Sequence, residues 1–266
     1  MAAGGVVGVS ADAATEPVPA SFDEYAADRE DPRFTDWLRE RTEPAWTGAT
    51  EHRFARELVR DDLADDAFRR YLVQDYAFVE TLVGVFGHAV GEAPEMAAKS
   101  RLVDFLGTLT ADENDYFERS FDALGVPEAD RTDPDLTETT RAFEDLLGRA
   151  AREGGYAETL AVLVPAEWAY LEWASDADGR PDRFYLAEWV DLHAGPGFES
   201  VVDLLRRELD REGAVASPRR RRRIERLFRR TVDLEVAFFD AAYDPDGVRE
   251  PAVTGDGPGA PGQGGR

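Results

Sequence analysis

The chain of 266 residues is predicted to be all-α. Three observations carry that expectation. Apolar residues recur at helical spacings over nearly everything between residues 31 and 243. No stretch sustains the period-2 alternation of a strand, and no Asn-Gly hairpin occurs. Gly or Pro stands at most junctions between the periodic segments, where helices stop.

Taken in order, the first helix covers about 31–42 and ends near Pro44, and a short one follows over about 50–60. A long helix spans about 65–90 and stops at Gly91. The next runs from Pro94 to about 124, with a break expected near Thr110, and ends at Gly125-Val126-Pro127. Another covers about 135–153, before Gly154 and Gly155. The sixth runs from Tyr156 to about Ser175 and carries Pro165 inside it. That proline either kinks the helix, leaving the carbonyl near Ala161 without its usual donor, or separates two helices. Short helices over about 181–193 and 197–212 precede a last one over about 217–243. Residues 1–20 read as a loose Ala/Gly/Pro leader and 244–266 as a disordered Gly/Pro-rich tail. No internal repeat is evident and the connections are short, so 21–243 is expected to form one multi-helix bundle in a single domain.

Composition narrows the function classes. Fifty-five acidic residues face 31 basic ones, a formal net charge of −24, and Lys99 is the one lysine. A broad phosphate-binding face needs clustered cations, so nucleic acid is not an expected partner. Asp and Glu with arginine as almost the sole cation fit a surface adapted to high salt, where self-repulsion is screened, and suggest a haloarchaeal cytoplasm. Cysteine is absent, which excludes disulfides, thiolate metal sites and a cysteine nucleophile. No apolar run approaches the roughly 20 residues that span a bilayer. The opening MAAGGVVGVS lacks a basic n-region, so a cytoplasmic protein with no membrane partner is expected. The run Arg219–Arg223 reads either as the solvated start of the last helix, paired with nearby acids, or as an anion clamp.

The most informative feature is a set of carboxylates on apolar faces. In ADDAFRRYLVQDYAFVETLVGVFGHAV (64–90) the stripe Tyr71, Phe78, Leu82, Phe86 has spacings of seven, four and four, and Asp75 falls on it. In 156–175, Glu167 sits amid Leu160, Leu163, Val164, Tyr170 and Leu171. In the last helix Glu235 lies among Phe228, Val232, Phe238, Phe239 and Ala242. An acid facing a core is costly unless it is hydrogen-bonded or holds a ligand. Each one alone fits a structural acid paired with an arginine. Three together fit a shared polar cavity between facing helices.

At these residues the sequence resembles the TenA/thiaminase II family. FRRYLVQDYAFVETL (68–82) is similar to the family segment around its substrate-binding aspartate, here Asp75. LAVLVPAEWAYLEWA (160–174) resembles the catalytic segment, where proline is followed by cysteine and then by a Trp and a Tyr. FYLAEWVDLHAGPGFESVVDLL (184–205) resembles the Tyr…Trp block, and LEVAFFDAAY (234–243) the C-terminal helix with its catalytic glutamate, here Glu235. The resemblance implies a haem-oxygenase-like bundle and a homo-oligomer. The departures are as informative. Ala166 stands where the family has its nucleophilic cysteine, with Glu167 beside it, and His193 stands where an aromatic would line the pyrimidine pocket. The helix over 135–147 lacks the usual tyrosine, with Thr140 or Phe143 in its place. This pattern is similar to the branch with glutamate instead of cysteine, for which the resemblance implies thiamin salvage by hydrolysis of amino- or formylamino-pyrimidines.

Without a thiol, such a hydrolysis needs an activated water and a proton for the leaving nitrogen. Asp75 is expected to orient the pyrimidine through its ring amino group. Glu167 and Glu235 are expected to share the general-base and general-acid roles, in an order the residues leave open, and burial should raise at least one of their pKa values. Phe78, Tyr170 and His193 are the expected substrate contacts, with Tyr76 and Trp168 less squarely on the inward faces. No cofactor and no metal are expected. Two other readings are a non-catalytic pyrimidine binder and a haem-oxygenase-like di-iron oxygenase. The second is poorly served by three histidines, His52, His88 and His193, with no Glu-x-x-His pair.

Overall fold

A computed structural model describes residues 17–243. Most of the leader (1–16) and the whole tail (244–266) lie outside the described residues. Within them the chain folds as α1 (Phe22–Ala27), α2 (Phe34–Thr42), α3 (Ala45–Thr50), α4 (Arg53–Val59) and α5 (Asp65–Glu92). Then come α6 (Met96–Thr108), a π-helical turn (Leu109–Glu113) and α7 (Asn114–Leu124). The remainder is α8 (Glu128–Thr132), α9 (Glu138–Glu153), α10 (Tyr156–Ser175), α11 (Phe184–Ala194), α12 (Pro196–Val215) and α13 (Pro218–Ala241). There is no strand among the described residues, and no helix there is long and apolar enough to cross a membrane.

Local chemistry sets the boundaries. The hydroxyls of Ser21, Thr137 and Ser217 accept from backbone N–H groups at the starts of α1, α9 and α13. Pro196 and Pro218 open α12 and α13, where a missing N–H costs nothing. Gly125, at φ +64°, ends α7 in the left-handed conformation that glycine adopts without strain. The short helices α1, α3 and α8 were not expected. At five or six residues each they are too brief to show a period.

The centre of the bundle is α10. Seventeen of its 20 residues are buried, Pro165 included, and α3, α5, α9, α11, α12 and α13 pack around it. Pro165 does not separate two helices: α10 is continuous through it. Packing on every side supplies the stabilisation that the proline removes locally. The buried apolar side chains form one continuous cluster. Arg183 anchors α11 against the start of α5: its Nε donates to Asp61 at 2.6 Å and its guanidinium also reaches the Leu63 carbonyl at 2.8 Å.

The arginine run divides between roles. Arg220 donates to Glu158 at 2.8 Å, and Arg221 to Asp23 at 2.6 Å and to the Gly213 carbonyl at 2.8 Å. These contacts fasten α13 to α10, α12 and α1, so most of the run's pairing is structural.

Candidate active site

The periods of α5, α10 and α13 converge on one cavity. From α5 come Asp75, Phe78, Val79 and Leu82; from α10, Ala166, Glu167 and Tyr170; from α13, Glu235. The other wall is built by Trp189 and His193 of α11, Phe198 of α12, and Leu109 and Glu113 of the π turn. All six residues singled out from the sequence line this one space. It has about 40 Å³ of room, the size of about one or two waters and well short of an aromatic ring.

Four carboxyls share that space, and each is at least nine-tenths buried: Asp75 is 5% exposed, Glu113 9%, Glu167 6% and Glu235 2%. Neither arginine nor lysine lines it. Burial is the main cause that pushes all four acids up from ordinary carboxylate values. Asp75 is raised well up by burial and then by the charge of Glu113, with a hydrogen bond from Tyr71 acting in the opposite direction. Glu167 is raised well up by burial and then by Glu113 and Asp75, and Glu235 by burial and then by Asp75 and Glu167. Burial alone raises Glu113, to about 8. Like charges that share so small a space cannot all ionise together.

Two polar atoms on the walls lack a partner. Glu167 Oε1 and Trp189 Nε1 are both fully buried without a hydrogen bond. An orphaned acceptor and an orphaned donor on two residues that line one cavity are the complement of a polar ligand. His193 is held in one tautomer: its Nδ1 donates to the Trp189 carbonyl at 2.8 Å, which leaves Nε2 as an acceptor. Burial lowers its pKa to about 4, so the ring is neutral near pH 7. Tyr170 and Tyr71 join hydroxyls at 2.7 Å, and burial raises both well above the usual phenol range.

The residues placed less squarely inward face elsewhere. The Tyr76 hydroxyl donates to Asn114 at 2.9 Å, and Trp168 packs on Trp46 under the Arg206 guanidinium. Of the two stand-ins for the family tyrosine, Phe143 backs Phe78 with ring centroids 4.6 Å apart. Thr140 instead bonds Gln74 and lines a separate cleft of about 460 Å³, together with Tyr71 and Phe238. His52 lies beside Asp240 and His88 is exposed, both away from the cavity. Among the described residues no group of three or more His, Asp or Glu is arranged to hold a metal ion.

Glu113 was not anticipated. The signal was present: it continues the stripe Leu102, Phe105, Leu109 by four residues and precedes Tyr116 by three. The expected break near Thr110 hid that phase.

A comparison with protein families matches the TENA/THI-4/PQQC family over residues 39–245. Among characterised proteins, an aminopyrimidine aminohydrolase of Halalkalibacterium halodurans is 24% identical, the match covering 78% of this chain and 94% of that one. One from Bacillus subtilis is 22% identical, over 83% of this chain and 94% of its own. Among solved structures, a TenA family transcription regulator from Silicibacter sp. superposes with a TM-score of 0.73 at 23% identity, covering 80% of this chain and 97% of that one. A TenA homologue from P. horikoshii gives 0.70 at 23% identity, over 80% and 99%. The all-α, haem-oxygenase-like bundle expected from the sequence is the fold these structures share.

Proposed function

The chain belongs to the TENA/THI-4/PQQC family, and we propose that it is a thiamin-salvage hydrolase that splits amino- or formylamino-pyrimidines with water and buried carboxyls. The observation that carries this reading is the convergence of Asp75, Glu167 and Glu235, from three helices, on one cavity with an unpartnered Glu167 oxygen. The names of the relatives, aminopyrimidine aminohydrolases, supply the substrate class.

Ala166 lines the cavity where a thiol would be needed for a covalent route, so water is the attacking group. Asp75 accepts from the ring amino group and fixes the pyrimidine. With an aminomethyl substrate, water forms the new C–O bond to the side-arm carbon as the C–N bond breaks. One of Glu167 and Glu235 takes a proton from that water; an arm bound as its ammonium departs directly as ammonia, and a neutral nitrogen takes its proton from the other carboxyl. With a formylaminomethyl substrate, water adds to the formyl carbon and the same two proton transfers release formate and the amine. Raised pKa values suit both roles: a carboxyl that keeps its proton near neutral pH is a ready acid, and a neighbour that loses its own is a strong base. Phe78, Tyr170 and neutral His193 pack and hydrogen-bond around the ring. A ring needs more than the room present, so a cavity wall gives way on binding.

We read the acidic surface as an adaptation to a saline, haloarchaeal cytoplasm, residues 21–243 as one domain, and the working form as a homo-oligomer. Size-exclusion chromatography in molar salt tests the last point.

Incubation with thiamin, the aminomethyl-pyrimidine and the formylaminomethyl-pyrimidine, followed by mass spectrometry, should show loss of one pyrimidine and gain of its hydrolysis product. Glu235→Gln should cut that turnover by roughly 100- to 10,000-fold. Full activity in the variant would remove Glu235 from the mechanism. Thermal stabilisation by the pyrimidine without any product would instead favour a non-catalytic binder.

A further inference from the structure

The fourth carboxyl has no part in the chemistry above. Glu113 closes the π-helical turn, whose middle residues Thr110, Ala111 and Asp112 are exposed, so it belongs to the thin outer wall of the cavity. A π turn spends one extra residue and poorer hydrogen bonds, a cost that helices tend to carry at functional positions. Here the turn brings a carboxyl inward among Leu109, Leu82 and Phe198.

We propose that Glu113 is the specificity residue of this site, providing the negative counter-charge for a cationic side arm, so that the aminomethyl-pyrimidine, as its ammonium, is preferred to the neutral formylaminomethyl-pyrimidine. This rests on the pyrimidine-hydrolase reading of the same cavity.

Three observations support it. First, everything titratable that shares the cavity with Glu113 is acidic or neutral: Asp75 from α5, Glu167 and Tyr170 from α10, neutral His193 from α11 and Glu235 from α13, with Tyr116 of α7 close by. The protein itself supplies no cation, so a charged carboxylate there needs one from a ligand. Second, Glu167 Oε1 is buried and unpartnered in the same space, so the carboxyls are not occupied with each other. Third, Glu113 is the least buried of the four, and burial is the sole cause of its raised pKa, with no side-chain hydrogen bond contributing. Burial holds Glu113 protonated up to about pH 8, so near neutral pH its ionisation waits on a cation. An ammonium arm draws that ionisation out and expels a proton; a formamide arm brings no charge and leaves the proton in place.

Calorimetry decides the matter on the full chain, with the aminomethyl- and formylaminomethyl-pyrimidines as ligands and two buffers of different ionisation enthalpy. Wild type should bind the amine more tightly and release close to about one proton on doing so. Glu113→Gln should lose roughly 10- to 100-fold in affinity for the amine, hold its affinity for the formamide, and release no proton. Glu113→Asp, which keeps the charge, should restore part of the preference. Equal weakening toward both ligands, no change toward either, or a wild type that favours the formamide would overturn the proposal. Should Glu113→Gln fail to fold, absence of proton release in wild type overturns it and its presence supports it. The two readings separate cleanly. Charge-selective binding without product sinks the hydrolase reading and leaves Glu113 standing, whereas turnover with an unchanged preference in Glu113→Gln does the reverse. Binding of neither ligand sinks both.

Discussion

Replacing Glu113 by glutamine should make the protein more stable, and more so as pH rises. Burial lifts the Glu113 pKa from 4.5 to about 8 in the folded chain. Above pH 4.5 the unfolded chain gives up that proton while the folded chain keeps it, so folding grows less favourable with rising pH until the folded group ionises too. Each unit of that interval is worth about 1.4 kcal/mol, so at pH 7 wild type carries a penalty of about 3 kcal/mol that a neutral, isosteric amide avoids. For a chain of this size that corresponds to a rise of about 6–12 °C in Tm. Urea melts of both proteins at pH 4.5, 6, 7 and 8 in constant high salt provide the check. The gap should be small at pH 4.5, widen through pH 7 and level off above 8. A gap that does not vary with pH would mean that Glu113 is not held protonated by burial, and the electrostatic account of the cavity would fail.

Other expectations concern the frame. A Cβ on Gly213 of α12 would lie 2.1 Å from Cδ1 of the buried Phe34 ring, which has nowhere to turn. Gly213→Ala should therefore cost about 2 kcal/mol or more as α2 and α12 are forced apart, lowering Tm by about 4–8 °C; an unchanged melt would show that α2 docks loosely. With a net charge of −24, Tm should climb as sodium chloride is raised from about 0.1 M to about 2 M, most of the gain coming before screening is complete. A flat salt response would argue against the saline-adapted reading of the surface.

Helical phase carried most of the site. Asp75, Glu167 and Glu235 could be picked out because each interrupts an apolar stripe on a helix long enough to show its period. Phe78 and Tyr170 followed from the same stripes. Glu113 escaped because its helix contains a turn of five residues whose wider hydrogen-bond pattern is a property of the backbone that no side chain spells out. Pro165 was ambiguous for a related reason: whether a proline ends a helix depends on what surrounds it, and here α10 is enclosed on all sides. Tyr76 and Trp168 sit one position from inward-facing neighbours, and a step of about 100° per residue sends them to other partners.

The π turn also separates two kinds of change that evolution or an engineer could make. Removing one residue from Leu109–Glu113 would restore ordinary α pitch and re-aim the side chains of the turn itself by up to about 100° about the helix axis, withdrawing Glu113 while Asp75, Glu167 and Glu235 stay anchored on α5, α10 and α13. The outer wall can thus be re-cut by a single codon without touching the three acids assigned to the chemistry. What the cavity accepts and what it does to its guest are written in different parts of the chain.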